Sequence, residues 1–149
     1  MKKSVICAMV AIGSLAFNVN VYAASLEANP ISAHVDMSVD DVKKDVVNYK
    51  SDGYVEIMTM ANQTRIYASV KDHRIKQVEF INPGMILDGA TIGKEFESSK
   101  MTYPSIATWE HTGDVYHTYK RPDGSVIMVT TENNMVVSLT EYSKTISNC

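Results

Sequence analysis

The sequence predicts an α+β fold of two tandem units, each a helix followed by a three-stranded antiparallel meander, with both units sharing one core. Two observations predict it. Apolar residues at helical spacing precede each of two groups of β-rich runs, and polar or glycine-containing turns separate the runs. The same order of elements occurs twice, and a shift of 61 residues aligns Ile66 with Ile127 and Val78 with Leu139. The two pseudo-repeats span about residues 31–82 and 86–142.

The first unit begins with a predicted helix. Ser38 can cap this helix, and Asp40 and Asp41 fill its first turn, where carboxylates oppose the positive end of the helix dipole. Asp52-Gly53 predicts the turn that ends the helix. The apolar face of the helix consists of Val39, Val42, Val46 and Tyr49. Strands are predicted over Tyr54–Met60, Thr64–Lys71 and Arg74–Ile81.

The second unit repeats this order with a longer connection. Pro104 closes a predicted helix. The residues Ser105–Gly113 lengthen the connection between that helix and the first strand, and we interpret them as a loop. The helical face consists of Phe96, Ser99, Lys100 and Tyr103. Strands are predicted over Val115–Lys120, Ser125–Glu132 and Met135–Tyr142.

The first 23 residues have the pattern of a secretory signal peptide. Lys2 and Lys3 precede an apolar stretch from about Val5 to Phe17, and small residues flank Tyr22 ahead of a cleavage site near Ala23. The apolar stretch is shorter than the roughly 20 residues of a transmembrane helix, so we expect no transmembrane segment. We therefore expect a single exported domain, residues 24–149, that is periplasmic or secreted.

Cleavage would change the charge and the cysteine content. It would leave 126 of the 149 residues, and loss of the two leader lysines would change the formal charge from −3 to −5. An acidic chain lacks the surplus of Lys and Arg that phosphate neutralisation needs, so we expect no nucleic-acid partner. Cys7 lies too early for a lipid anchor, and none is expected. Cys149 would be the only remaining cysteine, which leaves an intermolecular disulfide open.

The predicted order of elements resembles β-lactamase-inhibitory-protein-like and outer-membrane-assembly-lipoprotein-like folds. The stretch Ile75–Phe96, with Asp88-Gly89 and Ile92-Gly93-Lys94-Glu95-Phe96, also resembles the central part of the sigma-E-regulated envelope lipoprotein family. Unlike the two lipoprotein groups, this chain has no cysteine at the cleavage site. The resemblance implies an envelope protein whose surface recognises another macromolecule, and it supplies no catalytic residues.

Candidate chemistry is confined to one stretch of the chain. The sequence has no phosphate-binding glycine loop, no Gly-x-Ser-x-Gly elbow and no His-Glu-x-x-His helix, and no cofactor is predicted. His111, Asp114 and His117 could ligate a borderline metal such as zinc, or Asp114 could orient His111 as a base, if the side chains converge. The alternative is a surface hairpin whose histidines face water. We interpret His34 and His73 as solvated polar residues.

Aromatic residues suggest a docking surface instead. Tyr and Trp are enriched at protein–protein hot spots, although both are also common on ordinary sheet surfaces. Trp109, Tyr116 and Tyr119 are the predicted partner-binding residues, on a sheet face or in the 105–117 loop. The sequence leaves catalysis open but favours an exported, non-enzymatic protein that docks on a protein of the cell envelope, as an inhibitor, an immunity-type protein or an assembly accessory. The alternative is a small-ligand or metal-binding protein, or a minor hydrolase, that uses the His111, Asp114 and His117 cluster.

Overall fold

The computed structural model describes residues 33–146 of the chain. The predicted leader and its cleavage site near Ala23 lie outside the described residues, as does Cys149. The leader and the cleavage site therefore stay predictions, and an intermolecular disulfide of Cys149 stays open.

The described chain is built on one antiparallel sheet of eight strands. In the sheet the strands lie in the order β1-β2-β3-β4-β10-β9-β8-β7, so two four-stranded meanders are joined by the pairing of β4 with β10. A two-stranded hairpin, β5–β6, lies outside this sheet. The strands are β1 Val46–Ser51, β2 Val55–Met60, β3 Arg65–Ser69, β4 Ile75–Phe80, β5 Ile86–Leu87, β6 Ala90–Thr91, β7 Ser105–His111, β8 Asp114–Lys120, β9 Val126–Glu132 and β10 Met135–Tyr142.

The fold is mostly antiparallel β-sheet, and the predicted α+β class with two helix-plus-meander units is wrong. The first predicted helix does begin at Ser38, whose side chain and Asp41 form a capping box, but α1 ends after one turn, Val39–Val42. A 3₁₀ segment, Lys43–Asp45, follows it. No helix of the described part of the chain is long and apolar enough to cross a membrane.

Tertiary pairing explains why the first helix stops early. Val46 and Tyr49, which the helical spacing assigned to the apolar face, lie in β1 and pair with Met60 and Met58 of β2. β-Branched residues lose side-chain freedom in a helix and pack well on a pleated sheet, so the available partner strand outweighs a short periodic pattern.

The second predicted helix is also absent. Between Phe96 and Tyr103 the only helical geometry is a 3₁₀ segment, Ser98–Lys100. The backbone N–H of Phe96 instead donates to the carbonyl of Asn134, which ties this stretch to the β9–β10 turn. Two long-range backbone bonds near this stretch, Phe96 to Asn134 and Thr102 to Asp88, show that the chain follows the sheet and the hairpin rather than forming a helix.

The stretch interpreted as a loop is an edge strand. Ser105–His111 forms β7, which pairs with β8 through a tight turn at Thr112 and Gly113. Both turn residues have positive φ, the geometry of the two-residue turns that match the twist of a hairpin. With β7 included, each of the two meanders has four strands. Their origin by duplication stays a prediction.

The main core lies against one face of the sheet. The helical turn α1 and the β5–β6 hairpin pack on this face and bury apolar side chains from six of the eight strands, β2, β3, β4, β8, β9 and β10. Burial of this kind stabilises the fold by about 25 cal/mol per Å² of apolar surface removed from water. The core includes Met58, Ile66, Val78, Phe80, Ile127, Val129 and Leu139.

Gly89, in the turn between β5 and β6, is predicted to tolerate no side chain. Its φ is +101°, and a Cβ placed on it would collide with the backbone carbonyl oxygen of Lys100. We expect Gly89→Ala to lower the free energy of unfolding by about 2 kcal/mol, from backbone strain and displacement of that carbonyl. Urea unfolding would measure the loss. Gly53→Ala is the matched control, because Gly53 also has positive φ but nothing lies within 4 Å of its added Cβ. Equal losses in the two variants would contradict the collision.

Candidate functional site

Strand geometry divides the predicted site residues between the two faces of the sheet. Successive side chains of a strand point to opposite faces, so residues two apart share a face and residues three apart do not. In β8, Asp114 and Tyr116 therefore share one face, whereas His117 and Tyr119 lie on the other. Trp109 of β7 is the cross-strand partner of Tyr116. Trp109 and Tyr116 thus lie on the same face, on adjacent strands.

The metal-binding alternative requires three side chains to converge, and they do not. His111 is the cross-strand partner of Asp114, but His117 points to the main core and stacks on Phe96 with ring centroids 4.2 Å apart. Burial there lowers the pKa of His117. Among residues 33–146 no group of three His, Cys, Asp or Glu side chains is placed to hold a metal ion. His111, Asp114 and His117 therefore cannot share a coordination shell in this fold.

The three predicted docking residues also separate. Tyr119 is 5% exposed and belongs to the main core, where burial raises its pKa. Trp109 and Tyr116 form a stack on the opposite face, with ring centroids 5.4 Å apart and an interplanar angle of 13°. Trp109 is 46% exposed, whereas Tyr116 is buried. The accessible ring of Trp109 therefore packs on the buried ring of Tyr116.

We call the sheet face opposite the main core the open face. The described helical turn and hairpin contribute to the main core and not to the side-chain cluster on this second face. That cluster consists of Tyr116 and Met128, with the partly buried Tyr142 packed against them. The Tyr142 hydroxyl donates to Met128 Sδ at 3.9 Å. The residues that define the open face are Glu79, Trp109, Tyr116, Met128 and Tyr142.

Buried polar atoms without hydrogen-bond partners concentrate on the open face. Among residues 33–146, neither carboxylate oxygen of Glu79 has a hydrogen-bond partner, and the hydroxyls of Tyr116, Thr130 and Ser138 have none. Ser138, Thr130 and Tyr116 are successive cross-strand neighbours in β10, β9 and β8. Buried polar groups in folded proteins are nearly always paired, so a cluster of unpaired ones requires an explanation.

The electrostatics of the open face centre on Glu79. Burial raises the pKa of Glu79 to about 7, and the charge of Arg65, its cross-strand partner in β3, opposes that rise. Burial also raises the pKa of Tyr142 well above its usual value, and the nearby Glu79 carboxyl adds to that shift. Burial and the charge of Glu79 also raise the pKa of Tyr67. These groups therefore lie close enough to influence one another's ionisation.

Sequence reasoning missed Glu79. Its alternation with Val78 and Phe80 in a predicted strand was enough to place it on the face opposite the core. Its lack of a partner depends on the pairing of β4 with β3 and β10, which are distant in sequence from each other, so no local pattern could indicate it.

The open face ends at β7, which pairs with no second strand in the described part of the chain. All seven residues of β7 are exposed, including Ile106 and Trp109. An edge strand presents backbone N–H and C=O groups that can pair with another chain. Asp114 and Glu132, cross-strand partners near this edge, add two acids to the open face. Burial and the charge of Glu132 raise the pKa of Asp114.

A second polar cluster lies on the other face, in a cleft of about 540 Å³. The buried Glu56 accepts a hydrogen bond from the Tyr49 hydroxyl at 3.0 Å and contacts His73 Nδ1 at 3.0 Å. His34, likewise interpreted as solvated, contacts the buried Glu141 at 3.2 Å. His73 and Glu56 are 17 residues apart in sequence, and His34 and Glu141 are 107 residues apart. Local spacing therefore does not indicate either contact.

Comparison with known proteins shows the fold only. No protein-family model matches the chain, and no curated protein sequence matches it. A crystal structure at 1.5 Å resolution of an extracellular protein containing an SCP domain, from Bacillus anthracis strain Ames, is similar with a TM-score of 0.54 at 7% sequence identity. The match covers 80% of this chain and 49% of that one, so this chain spans about half the length of its structural neighbour.

Proposed function

We propose that the chain is an exported, non-enzymatic protein that docks on a protein of the cell envelope through its open face. The single observation that carries this proposal is the Trp109–Tyr116 stack, on a sheet face outside the main core and beside an unpaired edge strand. Aromatic residues of this kind bury a large area at little entropic cost and are enriched among residues that dominate binding energy.

The charge of this face also supports docking. The acids Asp114 and Glu132, near the edge strand, favour a basic partner surface, since complementary charge increases the rate and specificity of association.

Export is supported by the predicted leader and by the structural neighbour, which is an extracellular protein. The net charge of −5 expected after cleavage also favours basic partners over anionic membrane surfaces. Inhibition, immunity or assembly are the activities that docking of this kind would serve.

Photo-crosslinking in the envelope would test the docking surface. Benzoylphenylalanine placed at position 109 should give a discrete adduct with one protein, because this ring is 46% exposed on the open face. The matched control is position 54, where Tyr54 is 74% exposed outside the open face. Identical adducts from the two positions would contradict the proposal.

Trp109→Ala should then weaken binding of the captured partner at least tenfold, as expected when a central aromatic anchor is truncated. Tyr54→Ala should leave the affinity unchanged. Because Trp109 is the only tryptophan, its fluorescence reports binding in the unlabelled protein. Equal affinity of the Trp109→Ala and unmodified proteins would exclude this face as the docking site.

A further inference from the structure

The exposed edge strand β7 carries backbone groups whose directions follow from the geometry of its turn. His111 and Asp114 flank the two-residue turn and are cross-strand partners, so they form the hydrogen-bonded pair that closes the hairpin. Pairs in an antiparallel ladder alternate, and residues between the hydrogen-bonded pairs direct their backbone groups away from the partner strand. The N–H and C=O groups of Thr108 and Glu110 therefore point outward from the sheet, away from β8.

The outward groups of β7 are complementary to the same groups of a second copy. A bulge at Ile106 is followed by regular pairing with β8 as far as the turn. In an antiparallel pair of β7 strands centred on Trp109, Thr108 of each copy lies opposite Glu110 of the other, and the two residues exchange both backbone hydrogen bonds. A pair centred on Thr108 would need the backbone of Ile106, which lies in the bulge. The register centred on Trp109 therefore uses regular backbone in both copies.

The side chains on both faces of β7 fit this register. All seven residues of the strand are exposed, so a second strand can approach it along its whole length. Trp109, which is 46% exposed and stacks on Tyr116, would face its own copy in a non-hydrogen-bonded pair, where side chains approach most closely. Aromatic cross-strand pairs stabilise antiparallel sheets. On the other face, the Thr108 hydroxyl can donate to the Glu110 carboxylate of the second copy.

The charges beside β7 favour an antiparallel copy. Asp114 and Glu132 are cross-strand partners at the turn end of the strand. Lys120 lies at the other end, where its backbone N–H donates to the carbonyl of Pro104. Antiparallel pairing places the acidic end of each copy beside the lysine end of the other, which is the complementary arrangement of charge. The edge is therefore complementary to a second copy of itself in both hydrogen bonding and charge.

We propose that two copies of the chain form a twofold symmetric dimer by antiparallel pairing of their β7 strands, centred on Trp109. The dimer joins the two eight-stranded sheets into one continuous sheet and brings the two Trp109–Tyr116 stacks side by side on the same face. This inference goes beyond the docking proposed above and does not depend on it. A contact between two strands is small beside the roughly 1,600 Å² of a typical stable interface, so we expect reversible dissociation at micromolar or higher concentration.

Sedimentation equilibrium of the exported protein from about 1 μM to about 1 mM would measure the dimer. Reducing conditions would prevent Cys149 from linking two copies. Glu110→Pro removes an outward N–H without breaking a bond to β8, because proline is accepted on a sheet edge whose N–H faces solvent. It should raise the dissociation constant at least about tenfold, since each copy loses a hydrogen bond at the interface. Glu110→Gln, the matched control, keeps the N–H and should not raise the constant.

Disulfide trapping tests the register with Trp109 in place. In the proposed dimer Ala107 lies opposite His111 of the second copy, in a non-hydrogen-bonded pair whose Cα separation of about 4.5 Å suits a disulfide. Ala107→Cys and His111→Cys proteins, each also carrying Cys149→Ser, would be mixed and oxidised. The mixed disulfide should predominate, because like residues lie far apart along the two strands.

Three results would overturn the proposal. They are a monomer at every concentration, equal dimerisation of the Glu110→Pro and Glu110→Gln variants, and mixed and like disulfides in statistical proportions. Circular dichroism would verify that each variant is folded, and the cysteine variants decide the question if the proline variant is not. Assemblies larger than dimers would indicate that β7 pairs with β1, the other edge strand, and would also contradict the twofold pairing.

The dimer and the docking proposal fail separately. If the protein stays monomeric while Trp109→Ala weakens binding of the captured partner, the open face docks as a single copy and the dimer is excluded. If the protein dimerises through β7 while Trp109→Ala leaves partner binding unchanged, the strand serves self-association and the open face is not the docking surface.

Discussion

Glu141→Ala should lower the free energy of unfolding by about 3–5 kcal/mol, the range found when one partner of a buried ion pair is removed. The Glu141 side chain is 0% exposed and accepts from Arg121 Nη1 at 2.9 Å and from the backbone N–H of Val35 at 2.7 Å. It also contacts His34 Nδ1 at 3.2 Å. The alanine variant would leave a largely buried guanidinium with one carboxylate partner, Asp88.

The loss should spread beyond one contact, because this network joins distant parts of the chain. Arg121 Nε binds Asp88 of the β5–β6 turn at 2.7 Å, so the network connects the start of the described chain, the hairpin and β10. Urea unfolding at neutral pH would measure the change. Glu132→Ala is the control, since this exposed acid should alter stability by no more than about 0.5 kcal/mol. A Glu141→Ala loss as small as that of the control would contradict the structural role.

The pH dependence of this contribution has a definite sign. Burial alone would raise the pKa of Glu141, but hydrogen bonds from His34 and Val35 and the charge of Arg121 hold it below its usual value of 4.5. The contribution is therefore fully present above pH 4.5 and is lost as the pH falls through the lowered pKa. The difference between the unmodified protein and Glu141→Gln should shrink accordingly in acid.

The six predicted strands and the cap at Ser38 illustrate what local pattern can reveal. Met135–Tyr142 forms a strand with the predicted bounds, and the other five differ from prediction by one or two residues at one or both ends. The first helix failed because Val46 and Tyr49 satisfy helical spacing and strand pairing equally well. Which structure forms depends on β2, whose approach no window of local sequence describes.

Local pattern also predicts part of the candidate site. Once β8 is a strand, the odd spacing of Tyr116 and Tyr119 already assigns them to opposite faces. The interpretation of Ser105–Gly113 as a loop concealed the pairing of Trp109 with Tyr116. Glu79 became a candidate only through the combined positions of three strands, which a sequence encodes non-locally.

Glu79→Gln should stabilise the protein above neutral pH. Burial raises the pKa of Glu79 from 4.5 to about 7, so the folded chain favours the protonated carboxyl group. An acid whose pKa rises on folding lowers the free energy of unfolding only where the unfolded chain is ionised. For Glu79 this loss is absent below pH 4.5 and grows until the pH passes about 7. The shift corresponds to about 3 kcal/mol at alkaline pH, which glutamine would largely remove.

Thermal unfolding of both proteins at about pH 4 and about pH 8.5 would test this prediction. The melting temperatures should agree in acid and differ at alkaline pH, with the variant higher by on the order of 10 °C. The titratable groups that face Glu79 are Arg65, Tyr67 and Tyr142. A variant less stable at alkaline pH would show that Glu79 is already paired in the folded protein.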